Sequence, residues 1–148
     1  MATPAIDLDS SPEAVFAAIK ELDDDEFAAL MAETESRERV IDALIEHLAA
    51  ALRPERAEDL DKVIHVKLWD RPSGGYDHRE LLIRDGACTA SAEPAEDPDL
   101  TLKVRPEDLR RIVTGAAGPK RLAFQGRLRA IGDIRLGLGL SDLFDLSS

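Results

Sequence analysis

The sequence predicts a mixed fold, with a helical first part and a second part of five strands that have helices among them. Two observations support this prediction. Apolar residues recur every three or four positions as far as about residue 60, and beyond that point they alternate with polar residues. The length of 148 residues is one domain's worth of chain. We therefore expect segments 1–60 and 61–148 to form together one compact domain.

The first part is predicted to contain three helices. Residues that cap a helix or suit its first turn mark the three starts: Ser10 or Ser11 before Pro12, the acidic run 23–26, and Ser36. Glu13 also stands at the capping-box spacing from Ser10. The third and longest helix carries an apolar stripe from Val40 to Leu52, and Pro54 ends it. We interpret these stripes as core packing.

The second part is predicted to contain five strands, in which apolar and polar residues alternate between turn signals: 62–69, 79–84, 87–92, 100–105 and 127–131. Tight turns at 71–77 and 85–86 join the first three strands into a meander. One helix is predicted over 107–114 and a last one over 134–144. Gly137 and Gly139 each cost the last helix roughly 1 kcal/mol relative to alanine. Three interpretations of these glycines stay open: they allow the helix to lie close to the sheet, they allow it to move aside for a ligand, or the fold simply tolerates them.

Charge is distributed unevenly along the chain, whose formal net charge is -11. Residues 1–60 hold 16 acids and 5 bases, whereas residues 61–148 hold 14 of each. We interpret the acidic front as a solvated helix surface, with an acidic docking surface as the alternative. An acidic chain with six aromatic residues lacks the basic, stacking surface that nucleic acids require. DNA and RNA are therefore not expected as partners.

Several site classes have no support in the sequence. The longest apolar runs are six residues, too short to span a bilayer, and residues 1–13 do not resemble an export leader. Cys88 is the only cysteine, which excludes an intramolecular disulfide. His47, His65 and His78 show no metal-ligand spacing, and no nucleotide-binding motif occurs. We therefore expect a cytoplasmic protein without a metal or cofactor.

Two clusters of polar residues deserve a functional hypothesis. His65, Asp70, Tyr76 and His78 surround one hairpin and are candidates for acid–base chemistry, although hairpin tips of this composition are usually open to solvent. Basic residues also gather in the second part: Arg110, Arg111, Lys120, Arg121, Arg127 and Arg129. This basic group suits an anionic lipid headgroup, a coenzyme A phosphate or transient contact with a membrane. The alternative is that its members lie on solvated faces of a helix and a strand.

The second part also resembles the sterol carrier protein type 2 family, over residues 61–146. The resemblance lies in the order and spacing of short motifs rather than in any one of them. The residues that carry it are Asp97-Pro-Asp-Leu-Thr-Leu-Lys103, Glu107-Asp-Leu109, Gly115, Ala123-Phe-Gln-Gly126, Arg127-Leu-Arg129, Gly132-Asp133 and Leu143-Phe144. The helical front, with its Arg53-Pro-Glu-Arg56 exit, is similar to the added segment of bacterial stand-alone members.

The resemblance implies an α+β fold in which helices cover a five-stranded, mainly antiparallel sheet and leave an apolar tunnel. It further implies non-catalytic binding or transfer of a fatty acid, a fatty acyl-CoA or a sterol-like lipid. The alternation of the strands and helices then places twelve candidate ligand-binding residues between the layers: Val66, Leu68, Leu102, Val104, Leu109, Ile112, Val113, Phe124, Ala130, Leu136, Leu140 and Phe144. The alternative is that these side chains pack together as a closed core.

The chain also departs from the family pattern. Ala130 stands where relatives have a larger aliphatic residue, and Gly137, Gly139 and Asp142 replace longer side chains in the last helix. The chain ends at Ser148 without a peroxisomal Ser-Lys-Leu signal, and the absence of asparagine favours a bacterial gene of high GC content. Two other functions stay open: an isomerase or cyclase that uses the same cavity, and a docking subunit with a filled core. The oligomeric state is open as well.

Overall fold

A computed structural model describes residues 6–146 of the chain. Two sequence-based expectations concern residues outside this range: the expectation that residues 1–13 are not an export leader involves the first five residues, and the expectation of no peroxisomal signal concerns the chain end at residue 148. Within the described range, four helices come first, and five strands and four further helices follow.

The helical front consists of α1 (Pro12–Lys20), α2 (Asp24–Met31), α3 (Thr34–Ala50) and the single turn α4 (Pro54–Ala57). Ser11 caps α1 by accepting a hydrogen bond from the amide of Ala14. The capping box predicted for Ser10 and Glu13 is wrong, because Ser11 caps the helix and the Ser10 hydroxyl donates to the Asp7 carbonyl instead. A capping box forms between Asp23 and Glu26 at the start of α2.

The third helix begins two residues earlier than predicted. Ser36 lies inside α3 and is buried, and its hydroxyl donates to the carbonyl of Leu30 in α2. A buried hydroxyl requires a hydrogen-bond partner, and the end of α2 supplies it. Ser36 therefore fixes the corner between α2 and α3 rather than the start of α3.

The five strands form one sheet in the order β3-β2-β1-β4-β5. Their bounds are β1 Lys62–Leu68, β2 Asp77–Arg84, β3 Ala87–Ser91, β4 Leu100–Val104 and β5 Leu128–Gly132. The first three strands form the predicted meander, β4 pairs with β1 in parallel, and β5 pairs with β4 in antiparallel. The predicted α+β fold with a mainly antiparallel five-stranded sheet is confirmed.

Helices cover one face of this sheet. The helix α3 packs on β2 and β3, α5 (Pro106–Val113) packs on α3, and α6 (Pro119–Phe124) packs on β5. The covered face carries the alternating residues that the sequence predicts to be inside: Ile64, Val66, Leu68, Leu102, Val104 and Leu128. Apolar side chains of α1, α2 and α3 belong to the same buried cluster as those of the sheet. The helical front thus contributes directly to the core beneath the sheet.

The predicted final helix over 134–144 is two short helices, α7 (Ile134–Leu138) and α8 (Leu140–Leu143), separated at Gly139. The chain of α8 is tied to the end of α3, because the Arg53 amide donates to the Leu143 carbonyl and the Asp145 amide donates to the Ala51 carbonyl. These two hydrogen bonds fix α8 against the end of α3, and the break between α7 and α8 falls at Gly139.

Candidate functional site

A small apolar cavity lies between the sheet and the helices that cover it. Its volume is about 30 Å³, and it is lined entirely by apolar side chains: Leu48, Ile64, Val66, Leu81, Leu102, Val104, Leu109, Ile112, Pro119, Leu128, Leu140, Phe144 and Leu146. A pocket that encloses an organic ligand has a volume of roughly 300 Å³ or more. The expected tunnel is therefore not open in this structure, and the space that remains is close to that of a single water molecule.

A larger apolar groove of about 450 Å³ opens on the surface beside this cavity, between α6, β5 and α7. Its lining consists of Leu102, Pro119, Lys120, Ala123, Phe124, Leu128, Ala130, Ile134, Gly137, Leu138 and Leu140. Four of these residues also line the cavity: Leu102, Pro119, Leu128 and Leu140. The groove and the cavity thus share a wall formed by these four residues.

The twelve predicted ligand-binding residues fall into three groups. Seven line the closed cavity: Val66, Leu102, Val104, Leu109, Ile112, Leu140 and Phe144. Phe124 and Ala130 join Leu102 and Leu140 along the groove. The remaining three, Leu68, Val113 and Leu136, are buried but line neither space. Leu136 instead lines a separate depression with Leu60 and Lys62.

Phe124 does not face the sheet as predicted, because its side chain is 95% exposed. The short helix α6 buries only Pro119 and Leu122, and its last residue lies beyond the side that contacts the sheet. The ring stands at the rim of the groove, near the exposed Ile134 and Leu138 of α7. Sequence reasoning assigned Phe124 to the interior because an aromatic residue in an apolar run is usually buried.

Several groove residues were missing from the predicted set. Pro119 is the first residue of α6, a position where the missing amide of proline costs nothing. Ile134, Gly137 and Leu138 come together only because α7 is short and ends at Gly139. No periodic signal in the sequence marks which face of so short a helix borders the groove.

The predicted acid–base cluster lies on the other face of the sheet. His65 Nε2 is 3.0 Å from Glu80 Oε2, and His78 Nε2 is 2.9 Å from His65 Nδ1. Tyr76 contacts this group only through ring packing on His78, and Asp70 pairs with Arg105 at 3.0 Å. His65 and Glu80 are directly paired across β1 and β2, opposite to the cavity side of these strands. The cluster is thus separated from the groove by the full thickness of the sheet.

The electrostatics of this cluster favour a structural role. Burial opposes the charge of Glu80, but hydrogen bonds from the amides of Glu96 and Ala95, together with His65, outweigh it and lower the pKa of the carboxyl. Burial, followed by the nearby His65 and Lys67, lowers the pKa of His78. Glu80 therefore stays ionised and holds the loop after β3 against the sheet.

The basic residues of the second part divide into paired and unpaired groups. Arg110 and Arg111 lie within 4.0 Å of Asp24, and Asp108 pairs with both Arg111 and Arg127. In the described part of the chain, no carboxylate lies within ion-pair distance of four exposed cations: Lys120, Arg121, Arg129 and Arg135. Lys120 and Arg121 lie on α6 and Arg135 lies on α7, two of the elements that form the groove, whereas Arg129 extends from β5 beside Lys103 on the opposite face of the sheet.

Two searches of the described residues exclude particular kinds of site. Across residues 6–146, no group of three or more histidine, cysteine, aspartate or glutamate side chains has an arrangement that would hold a metal ion. The same residues include no helix of the length and hydropathy needed to cross a membrane.

Solved structures share this fold at low sequence identity. The sec-alkylsulfatase Pisa1 from Pseudomonas sp. matches with a TM-score of 0.59 and 22% identity over 71% of this chain, which spans only 16% of that enzyme. Sterol carrier protein 2 like 2 from Aedes aegypti matches with a TM-score of 0.57 and 18% identity, covering 72% of this chain and 98% of that protein.

A third match is sterol carrier protein 2 from Aedes aegypti in complex with palmitate, with a TM-score of 0.53 and 14% identity over 71% of this chain and 97% of that protein. A search of curated protein sequences gave no match. The model of the SCP-2 sterol transfer family, in contrast, matches residues 41–145, from α3 to the end of α8. With that match over most of its length, and with the sheet order and groove described above, this chain belongs to the SCP-2 sterol transfer family.

Proposed function

We propose that this protein binds one lipid with a long apolar chain, such as a fatty acid, without catalysing a reaction on it. The observation that carries the proposal is the wall shared by the surface groove and the buried cavity, which is apolar throughout. The lipid chain would lie in the groove and extend across Leu102, Leu128 and Leu140 into the cavity. The palmitate complex of the structurally similar carrier protein supports a fatty acid as the first ligand to test.

The affinity would come from removing the lipid chain from water. Each buried methylene contributes roughly 0.8 kcal/mol, so burial of about ten methylenes stabilises the complex by roughly 8 kcal/mol before the cost of association is subtracted. Aliphatic walls place few geometric demands on such a chain. We therefore expect affinity to depend on chain length more than on the details of the headgroup.

Lipid entry requires the closed cavity to enlarge, and α7 is the element best suited to move. The helix has five residues and ends at Gly139, whereas α8 is held by backbone hydrogen bonds to the end of α3. Asp133 caps α7 and pairs with Lys62 at 2.9 Å, which anchors only its first turn. Rotation of α7 about its two ends would widen the groove without disturbing the sheet.

Lys120 is the one charged residue in the lining of the groove, and the lining of the cavity has none. Its ammonium group is suitably placed to pair with a fatty acid carboxylate at the solvent end of the groove. Catalysis on the bound lipid would instead need a titratable group with an altered pKa inside the pocket. The closest acid–base cluster, His65 with Glu80, lies on the opposite face of the sheet. These positions favour a carrier over an isomerase or cyclase.

The proposal is tested by measuring palmitate binding to the purified chain by native mass spectrometry and calorimetry. Ala130→Phe introduces a ring opposite Gly137, in the floor of the groove. We expect a 1:1 complex for the unaltered chain and at least tenfold weaker binding for the variant. Ala28→Phe, on the exposed side of α2, is the matched control and should bind palmitate normally.

Thermal unfolding of both variants separates loss of binding from loss of fold. If Ala130→Phe unfolds near the temperature of the unaltered chain and still binds palmitate as tightly, the ligand does not occupy the groove. If the unaltered chain binds neither palmitate nor other long-chain fatty acids, the proposed function is wrong.

A further inference from the structure

The edge of the molecule formed by α6, β5 and α7 combines exposed apolar side chains with unpaired cations. Phe124, Ile134 and Leu138 are 95%, 56% and 58% exposed, and all three line the same groove as Lys120. Arg121 follows Lys120 on α6, and Arg135 follows Ile134 on α7. We call this set the groove edge.

We propose that the groove edge docks on the surface of an anionic lipid bilayer, with the apolar rim inserted between the headgroups. The inference rests on the proposed function in one respect, namely that the lipid-binding groove opens on this surface. A carrier docked there exchanges its ligand with the bilayer directly. The ligand's apolar chain then avoids passage through water, which is unfavourable by roughly the same amount per methylene as its burial is favourable.

Charge complementarity identifies the partner as anionic. Residues 119–138 contain five cations and only one acid, Asp133, in a chain whose net charge is -11, and three of the five, Lys120, Arg121 and Arg135, belong to the groove edge. Asp133 is occupied as the cap of α7 and as the partner of Lys62. The groove edge therefore presents positive charge on a molecule that is negative elsewhere. Near an anionic surface, this asymmetry would turn the groove edge toward the membrane and the acidic helical front away from it.

The apolar side chains distinguish a membrane from a soluble polyanion. A large aromatic ring that is almost fully exposed, next to two half-exposed aliphatic residues, is unfavourable in water and gives nothing to a free phosphate. Basic residues around exposed aromatic and aliphatic side chains are typical of elements that lie in the headgroup region of a bilayer. The combination at the groove edge therefore favours a membrane surface.

The first test is sedimentation of the full chain with vesicles of phosphatidylcholine alone or mixed with phosphatidylglycerol. We expect binding only to the anionic vesicles, weakening as salt is added. Arg121→Glu should lower vesicle binding roughly tenfold or more. Lys20→Glu changes the net charge equally, on the exposed end of α1, and should leave binding nearly unchanged.

The second test locates the contact. Trp69 is the only tryptophan, so the pair of substitutions Trp69→Phe and Phe124→Trp gives one reporter at the groove edge. We expect its emission to shift to the blue on anionic vesicles and to be quenched by brominated lipid chains. An unshifted, unquenched emission from bound protein would show that another surface makes the contact and would overturn the proposal.

Palmitate binding in the absence of vesicles separates this proposal from the proposed function. If the chain binds palmitate but no anionic vesicles, docking is wrong and the carrier function is retained. If it binds vesicles through the groove edge but no palmitate, docking is retained and the carrier function is wrong. Equal losses for Arg121→Glu and Lys20→Glu, or a dimer that Phe124→Ser disrupts in place of vesicle binding, would also overturn docking.

Discussion

Gly137 of α7 lies directly over Ala130 of β5. A methyl group added at Gly137 would stand 3.6 Å from the Cβ of Ala130 and 3.7 Å from Cδ1 of Leu100. Both positions have small residues, and the structure brings the two together on the floor and wall of one groove. The absence of larger side chains is what allows α7 to close over the end of the sheet.

We predict that Gly137→Ala stabilises the protein and slows lipid uptake. The added methyl group would make ordinary contacts, so the gain in helix propensity, about 0.5 to 1 kcal/mol, should be realised. A more stable α7 would rotate away from the sheet less often, so palmitate should associate more slowly in stopped-flow measurements. Urea unfolding gives the stability change.

Gly139→Ala is the control for this prediction. A methyl group there would come within 3.3 Å of the Arg135 carbonyl oxygen, so little or no stability should be gained. If Gly137→Ala is more stable but takes up palmitate at the rate of the unaltered chain, α7 is not the element that moves.

The sequence correctly predicted the elements whose signals are local. Alternation located the strands, and the register put Val66 and Leu102 on the covered face because a strand has a strict two-residue period. Proline and acidic residues located the starts of α1, α2 and α5. Each signal acts within a few residues, so no knowledge of the tertiary structure was needed.

Features that depend on tertiary packing could not be predicted from local sequence signals. Gly137 and Gly139 have equal helix propensity, so local sequence does not show that the helix ends at Gly139 rather than at Gly137. Phe124 fits the apolar pattern, but α6 is too short to bury it. The volume of the cavity depends on how side chains from eight elements fill the space, so the sequence predicted much of its lining but not its closure.

We predict that Arg37→Ala strongly destabilises the protein. Arg37 is 1% exposed, its Nε is 2.6 Å from Oδ2 of Asp77, and its guanidinium also donates to the carbonyls of Leu68, Trp69 and Asp70. Removing it leaves a buried carboxylate and three carbonyls without their donor, at a cost of about 3 kcal/mol or more. Urea unfolding followed by circular dichroism measures the loss.

The exposed pair of Arg39 with Asp9 serves as the comparison. Their charged atoms are 2.7 Å apart, but solvent surrounds both side chains. Arg39→Ala should therefore cost less than about 1 kcal/mol. Similar losses for Arg37→Ala and Arg39→Ala would show that the buried pair does not hold α3 to the ends of β1 and β2.

We predict that stability declines as the pH falls from about 7 to 5. Burial, followed by the positive charge of Lys20, lowers the pKa of His47, and burial together with His65 lowers the pKa of His78. A histidine whose pKa is lower in the folded chain binds its proton more weakly there than in the unfolded chain, where the pKa is about 6.5. The stability contribution is therefore complete above that pH and is lost as the pH falls through the folded pKa.

Urea unfolding midpoints measured at several pH values test whether stability declines between pH 7 and 5. The double substitution His47→Gln with His78→Gln should flatten the dependence between pH 7 and 5. A further decline below the usual glutamate pKa of about 4.3 should remain, because the pKa of Glu80 is also lowered in the folded chain. Stability that rises on acidification from pH 7 to 5 would contradict the lowered pKa values of His47 and His78 in the folded chain.

We predict that Phe124→Ala weakens palmitate binding without destabilising the fold. The ring is 95% exposed, so its removal should change the free energy of unfolding by less than about 0.5 kcal/mol. Leu128 lines the same groove but is only 6% exposed. Leu128→Ala should therefore lower the free energy of unfolding by about 2 to 4 kcal/mol. A ligand in the groove would cover the Phe124 ring, so calorimetry should show several-fold weaker palmitate binding for Phe124→Ala. Unchanged affinity together with unchanged stability would mean that the lipid does not reach the rim, and that the exposed ring serves only the membrane contact.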